Sequence, residues 1–148
     1  MSTRCERASK RRAAAFAVLA LALGACQEGP RVGSPHWGRD VCERCRMTLS
    51  TPEHAAQLVG PGARVSFFDD LGCAIADRAD HAERVDSTLY VLRPGSREEW
   101  VPARALRFRD GERTPMDYGV VADAQGELSF AEAEARLLER ARSGRSPR

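Results

Sequence analysis

The densest chemistry in the chain lies in Asp40-Val41-Cys42-Glu43-Arg44-Cys45-Arg46-Met47, where a C-x-x-C and a C-x-M share Cys45. A thiolate and a thioether two residues apart can point to the same side of an extended loop. Soft sulfur donors of this kind select Cu(I) among biological metals. The thiolate supplies charge and tight binding. The thioether is neutral, holds copper more loosely and does not titrate, so a mixed set suits a carrier that must release its metal. Past the initiator, Met47 and Met116 are the remaining methionines. Met116 follows Pro115 in a Gly-bearing loop. Methionine is usually core filler, and here core packing and metal ligation are evenly matched. The copper reading makes Cys45 the anchoring thiolate with Met47 as a thioether donor and Cys42 a candidate further ligand, and leaves Met116 open between ligation and core packing, in a binding protein rather than an enzyme.

Other readings of the same residues stay open. Cys73, in the first turns of an expected helix, reads first as a small buried residue, although a helix N-terminus lowers thiol pKa values. A C-x-x-C is also a thiol-disulfide exchange motif, but it usually lies at a strand-to-helix junction; here it follows a linker and precedes Thr51-Pro52. Structural zinc wants four ligands, which Cys42, Cys45, Cys73 and His54 supply on paper. A Cys42–Cys45 disulfide is the remaining option. His36 lies in the tether and His54 near the first expected strand; both read as solvated side chains, outside the ligand set.

Several elements must position these residues. Strands are expected over His54–Val59 and Ala63–Phe68, joined by Gly60-Pro61-Gly62. A helix follows, capped by Asp69, with Leu71, Ala74, Ile75 and Ala79 on its apolar face. Thr88–Leu92 is a β-branched strand. Trp100–Phe108 reads as a strand with a break at Pro102, then come a loop over Gly111–Pro115 and a strand over Tyr118–Ala122. Ser129-Phe130-Ala131-Glu132 is a capping box, opening a helix to about Arg142 that Gly144 stops. The halves read β-β-α-β and β-β-α, an α+β fold of two small units with the second lacking its closing strand.

The front of the chain reads as an address. Arg4, Arg7, Lys10, Arg11 and Arg12 precede the apolar run Ala13–Leu23, which is too short to span a bilayer as a mature helix. Leu23-Gly24-Ala25-Cys26 resembles the lipobox of bacterial lipoproteins, which implies a signal peptide over residues 1–25 and a diacylated (palmitate-bearing) Cys26 on a periplasm-facing protein. An Asp after the lipidated cysteine would hold such a protein at the inner membrane; Gln27 points instead to the outer membrane. Residues 26–39, rich in Gly and Pro, read as a lipid-proximal linker, residues 40–142 as the domain and 143–148 as a polar tail. The chain has 148 residues and five cysteines, with 23 Lys and Arg against 21 Asp and Glu. That balance leaves no basic stripe and excludes a nucleic-acid partner. With Cys5 in the signal and Cys26 taken by lipid, Cys42, Cys45 and Cys73 remain. That odd number of thiols cannot form a complete disulfide framework.

The set Cys42-x-x-Cys45-x-Met47, then FFDDLGC (67–73), then Trp100-Val101-x-Ala103, then Pro115-Met116-x-x-Gly119 resembles the NosL family over roughly residues 40–135. These are lipoprotein accessory factors of nitrous oxide reductase. The resemblance implies a copper chaperone that binds Cu(I) and hands it to nitrous oxide reductase and its copper-maturation proteins in denitrification. It also implies a core similar to that of organomercurial lyase. The family's C-x-M falls on Cys45 and Met47 and its later methionine on Met116; Cys42 is additional to members carrying only C-x-M. Copper could be held within one chain or shared across a homodimer.

The carrier and exchange readings separate on one variant. Replacing both Met47 and Met116 by Leu is expected to weaken Cu(I) binding strongly while leaving thiol exchange intact; unchanged copper affinity would remove both methionines from the ligand set.

Overall fold

The computed structural model describes residues 31–144. They form a mixed α+β body with a four-stranded antiparallel sheet, a two-stranded ribbon and two α-helices. The strands of the main sheet are β1 (Ala56–Val59), β2 (Val65–Phe68), β3 (Thr88–Leu92) and β4 (Trp100–Pro102), in the order β2-β1-β3-β4. Helix α1 (Leu71–Asp80) connects β2 to β3 and packs against β1 and β2.

Strand register explains the burial of the sheet. Ala56 pairs with Phe68 and Val91, and Leu58 with Ser66 and Leu89, so these side chains share one face. Ala56, Leu58, Phe68, Leu89 and Val91 belong to the hydrophobic core, together with Leu71, Ala74 and Ile75 of α1. The opposite face carries Gln57 and Phe67, yet Gln57 is also fully buried. Its cover is the segment entering the domain. The Gly33 N–H donates to Gln57 Oε1 at 2.7 Å, Gln57 Nε2 donates back to the Gly33 carbonyl at 3.3 Å, and Gly33 lies so close to Phe67 and Val65 that a Cβ would collide with them. Gly33, expected as part of the tether, is therefore docked on the sheet. The signal and Cys26 lie outside the described residues.

The second half departs from a repeat of the first. The expected strand over Trp100–Phe108 is divided: Pro102 ends β4, the chain makes a 3-10 turn over Ala103–Ala105, and β5 (Phe108–Asp110) pairs with β6 (Val120–Ala122) in a separate ribbon. Helix α2 (Phe130–Arg142) opens on the expected box: the Ser129 hydroxyl accepts from the Glu132 N–H, and the Glu132 carboxylate accepts from the Ser129 N–H at 2.7 Å. Its buried Ala133 and Leu137 face the core, and Phe130 meets Phe108 with ring centroids 6.0 Å apart. Arg136 and Arg140 both pair with Asp110, fixing α2 to the ribbon. Gly144, at φ 64°, turns the chain out of the helix.

The cap of α1 is Asp70 rather than Asp69. Asp70 is extended and its Oδ1 accepts from the Gly72 N–H at 2.8 Å. The Tyr118 ring lies directly on Gly72, inside the volume a Cβ would need. Gly72→Ala is therefore expected to destabilise the fold by about 1–3 kcal/mol through overpacking, read as a lowered denaturation midpoint with unchanged slope.

Candidate metal centre

The segment 38–49 folds back on itself before the sheet begins. The Gly38 N–H donates to the Leu49 carbonyl and the Leu49 N–H to the Asp40 carbonyl, each at 2.9 Å, and Val41 bridges Thr48. At its tip the Cys42 N–H donates to the Met47 carbonyl at 2.8 Å and the Arg46 N–H to the Cys42 carbonyl at 3.1 Å. Closing this turn puts Arg46 at φ 64°, a left-handed conformation that costs a non-glycine residue about 1 kcal/mol. The Glu43 N–H then donates to the Phe67 carbonyl at 3.0 Å, docking the tip onto the end of β2, where the chain turns into α1. That contact brings Cys73, in the first turn of α1, to the same place as Cys42 and Cys45.

The Sγ atoms of Cys42, Cys45 and Cys73 lie within 4.8 Å of one another. Cys42 and Cys73 are buried, at 0% and 1% exposure, while Cys45 is half-buried. The three thiols are electrostatically unequal. Cys73 hydrogen-bonds to the Cys42 sulfur, and the backbone N–H groups of Cys45 and Asp69 point at the same atom; these bonds outweigh burial and lower the Cys42 pKa to about 5. The Cys73 pKa is pushed up, first by the proton it shares with Cys42 and then by burial. The Cys45 pKa is also raised, by burial first, against the pull of the Met47 N–H. Position near a helix N-terminus does not lower the Cys73 pKa here. The ionised sulfur is Cys42, with Cys73 as its donor.

Three cysteines are brought together where two were expected as ligands. Cys73 is buried in the core as expected, and the docking of the 42–47 turn on β2 also places its sulfur in the cluster. Met116 is half-buried against the core cluster that includes Cys42 and Cys73. Met47 is 44% exposed beside the half-buried Cys45. His36 lies exposed beside Asp40, whose Oδ2 also accepts from the His36 N–H at 2.9 Å. His54 is not a freely solvated side chain: its Nδ1 and the Asp69 Oδ2 are both buried without a hydrogen-bond partner among the described residues. Asp69 otherwise accepts from the Ser50 N–H at 3.3 Å, and burial raises its pKa.

No family model, curated protein or solved structure matches the chain. The chemistry of the site is therefore read from its donors. Among the described residues, the cluster able to hold a metal ion consists of three cysteines and includes no histidine or carboxylate. A broad surface depression of about 940 Å³ lined by Asp110, Arg113, Arg136 and Arg140 contains none of these cysteines, and in it Asp110 pairs with Arg136 and Arg140. Among the described residues no helix is long and apolar enough to cross a membrane.

The pKa order sets the protons a metal must displace. Metal uptake deprotonates thiol ligands, and one of the three is already a thiolate at pH 7. Binding through all three sulfurs is expected to release two protons per metal ion at pH 7. Because the Cys42 pKa is depressed, its proton competes only as pH falls through about 5; release then rises toward three and affinity drops. Titration calorimetry in buffers of different ionisation enthalpy reads this count, and a value of three at pH 7 would contradict the assignment of Cys42.

Proposed function

We propose that this chain is a lipid-anchored, periplasm-facing Cu(I) carrier of the NosL kind, not an enzyme, that delivers copper for the maturation of nitrous oxide reductase. The observation that carries the reading is the convergence of three cysteine sulfurs within 4.8 Å of one another, two of them buried. Soft donors without a nitrogen or carboxylate among them favour Cu(I), which accepts low coordination, over a closed four-ligand zinc site. The half-buried Cys45, with Met47 exposed beside it, gives a partner's ligands a way to reach the metal. Kinship to the two-unit NosL core, the lipid on Cys26 and the outer-membrane address belong to the same proposal. They rest on the motif order and the lipobox.

Thiol-disulfide exchange is less well served by this arrangement. An attacking thiol needs low pKa and access together. Here the two properties are divided: Cys42 has the low pKa and is fully buried, whereas Cys45 is reachable and has a raised pKa.

An anaerobic Cu(I) titration against a competing chelator tests the reading. One Cu(I) per chain is expected, with Cys42→Ser, Cys45→Ser and Cys73→Ser each weakening binding at least about tenfold, or about 1.4 kcal/mol. Stoichiometric zinc that Cu(I) cannot displace, or full Cu(I) affinity in the triple serine variant, would sink the proposal. In cells, Cys26→Ser should free the chain from the membrane fraction; its retention there would refute the lipid anchor.

A further inference from the structure

Asp70 is fully buried, yet it carries a carboxylate where a helix cap needs only one acceptor oxygen. Serine or asparagine caps a helix as well. An acidic side chain at 0% exposure must have its oxygens satisfied, because burying an uncompensated carboxylate costs far more than a cap returns. Here both oxygens are used. Oδ1 accepts from the Gly72 N–H at 2.8 Å, and Oδ2 accepts from the Met116 N–H at 3.0 Å, a partner forty-six positions along the chain.

That second bond joins two parts of the candidate site. Cys73 lies three residues beyond Asp70, on the first turn of the helix that Asp70 caps. Met116 lies in the irregular loop between β5 and β6. This loop is braced internally: the Gly111 N–H donates to the Gly119 carbonyl, the Asp117 N–H to the Thr114 carbonyl and the Gly119 N–H to the Thr114 hydroxyl. These bonds shape the loop but do not attach it to α1. Attachment comes from the Tyr118 ring on Gly72 and from the Met116 N–H on Asp70. Both contacts fall on the turn that bears Cys73, and Met116 packs against the hydrophobic core of the domain, to which Cys42 and Cys73 also belong.

We propose that Asp70 is a positioning residue that holds Met116 at the three-cysteine cluster, so that its thioether is presented to Cu(I) as a further donor. The inference rests on the Cu(I) reading above and concerns how the fourth sulfur is supplied. Asp70 touches no metal in this scheme; it acts through the backbone of Met116.

A double-mutant cycle on the full-length chain separates positioning from simple helix capping. Asp70→Asn keeps one acceptor for the Gly72 N–H but replaces the other oxygen with an amide that cannot accept from Met116. Asp70→Ser keeps a cap and removes the second acceptor altogether, and serves if the asparagine variant does not fold. Met116→Leu and either Asp70 variant are each expected to lower Cu(I) affinity about tenfold, and the combination by no more than Met116→Leu alone. Copper X-ray absorption should show the same loss of one sulfur scatterer in all of them. Without metal, the Asp70 variants should speed peroxide oxidation of Met116 while leaving that of Met47 unchanged. Additive losses in the cycle, unchanged affinity in the Asp70 variants, or an unaltered rate of Met116 oxidation would each overturn the proposal. If the parent chain binds no Cu(I), the carrier reading fails as well. If it binds copper through the cysteines while Met116→Leu has no effect, only the positioning role fails.

Discussion

Two N–H groups from distant parts of the chain converge on the buried carboxylate of Asp70, and much of the molecule is organised by that convergence. Helix α1 starts where it does because the Gly72 N–H finds an acceptor there, and the loop before β6 settles on the helix because the Met116 N–H finds the other. A charged group accepting two hydrogen bonds in a dry interior makes stronger bonds than a neutral one would. It also tolerates the loss of either poorly, since an unsatisfied carboxylate oxygen is then left buried. Gly72, squeezed under Tyr118, is the steric counterpart of the same joint.

Around this joint the sulfurs divide their tasks. Three thiols a few ångströms apart in a low-dielectric site cannot all ionise, because each thiolate raises the cost of the next. Cys42 takes the charge, since two backbone N–H groups and the Cys73 thiol all point at it. A soft cation bound there would neutralise the accumulated charge, allowing sulfurs that are protonated in its absence to become ligands. Cys42 and Cys73 are buried, while Cys45 is half-buried and Met47 exposed.

Elements governed by neighbouring residues were readable along the chain. TLYVL is strand from Thr88 to Leu92 because β-branched and apolar residues fit a buried pleat, and Ser129 with Glu132 opens α2 because the capping box is a contact within one turn. Elsewhere a remote contact decides the structure. Asp69 and Asp70 are equivalent caps by type; Asp70 takes the role with its second oxygen on Met116, while Asp69 turns to Ser50. Trp100–Phe108 has the composition of one strand, but its two ends pair with different partners, β3 and β6. Residues 33–39 look like linker because Gly and Pro leave little apolar surface, yet Gly33 is small enough to lie against Phe67 and bond Gln57.

The candidate centre divides along the same line. By itself the sequence determined the kind of chemistry: soft sulfur donors with few competing ligands, and a C-x-x-C whose spacing lets a single turn present two thiols. Ligand type and short spacing are local properties. Only the tertiary structure decided which sulfurs meet and which of them is ionised. The Glu43 N–H must dock on Phe67 before Cys42 and Cys45 reach Cys73, and the Cys73 thiol and Asp69 N–H must then reach Cys42 before its proton is released. Membership of the cluster and the order of ionisation both depend on contacts between residues more than twenty positions apart, which no local pattern encodes.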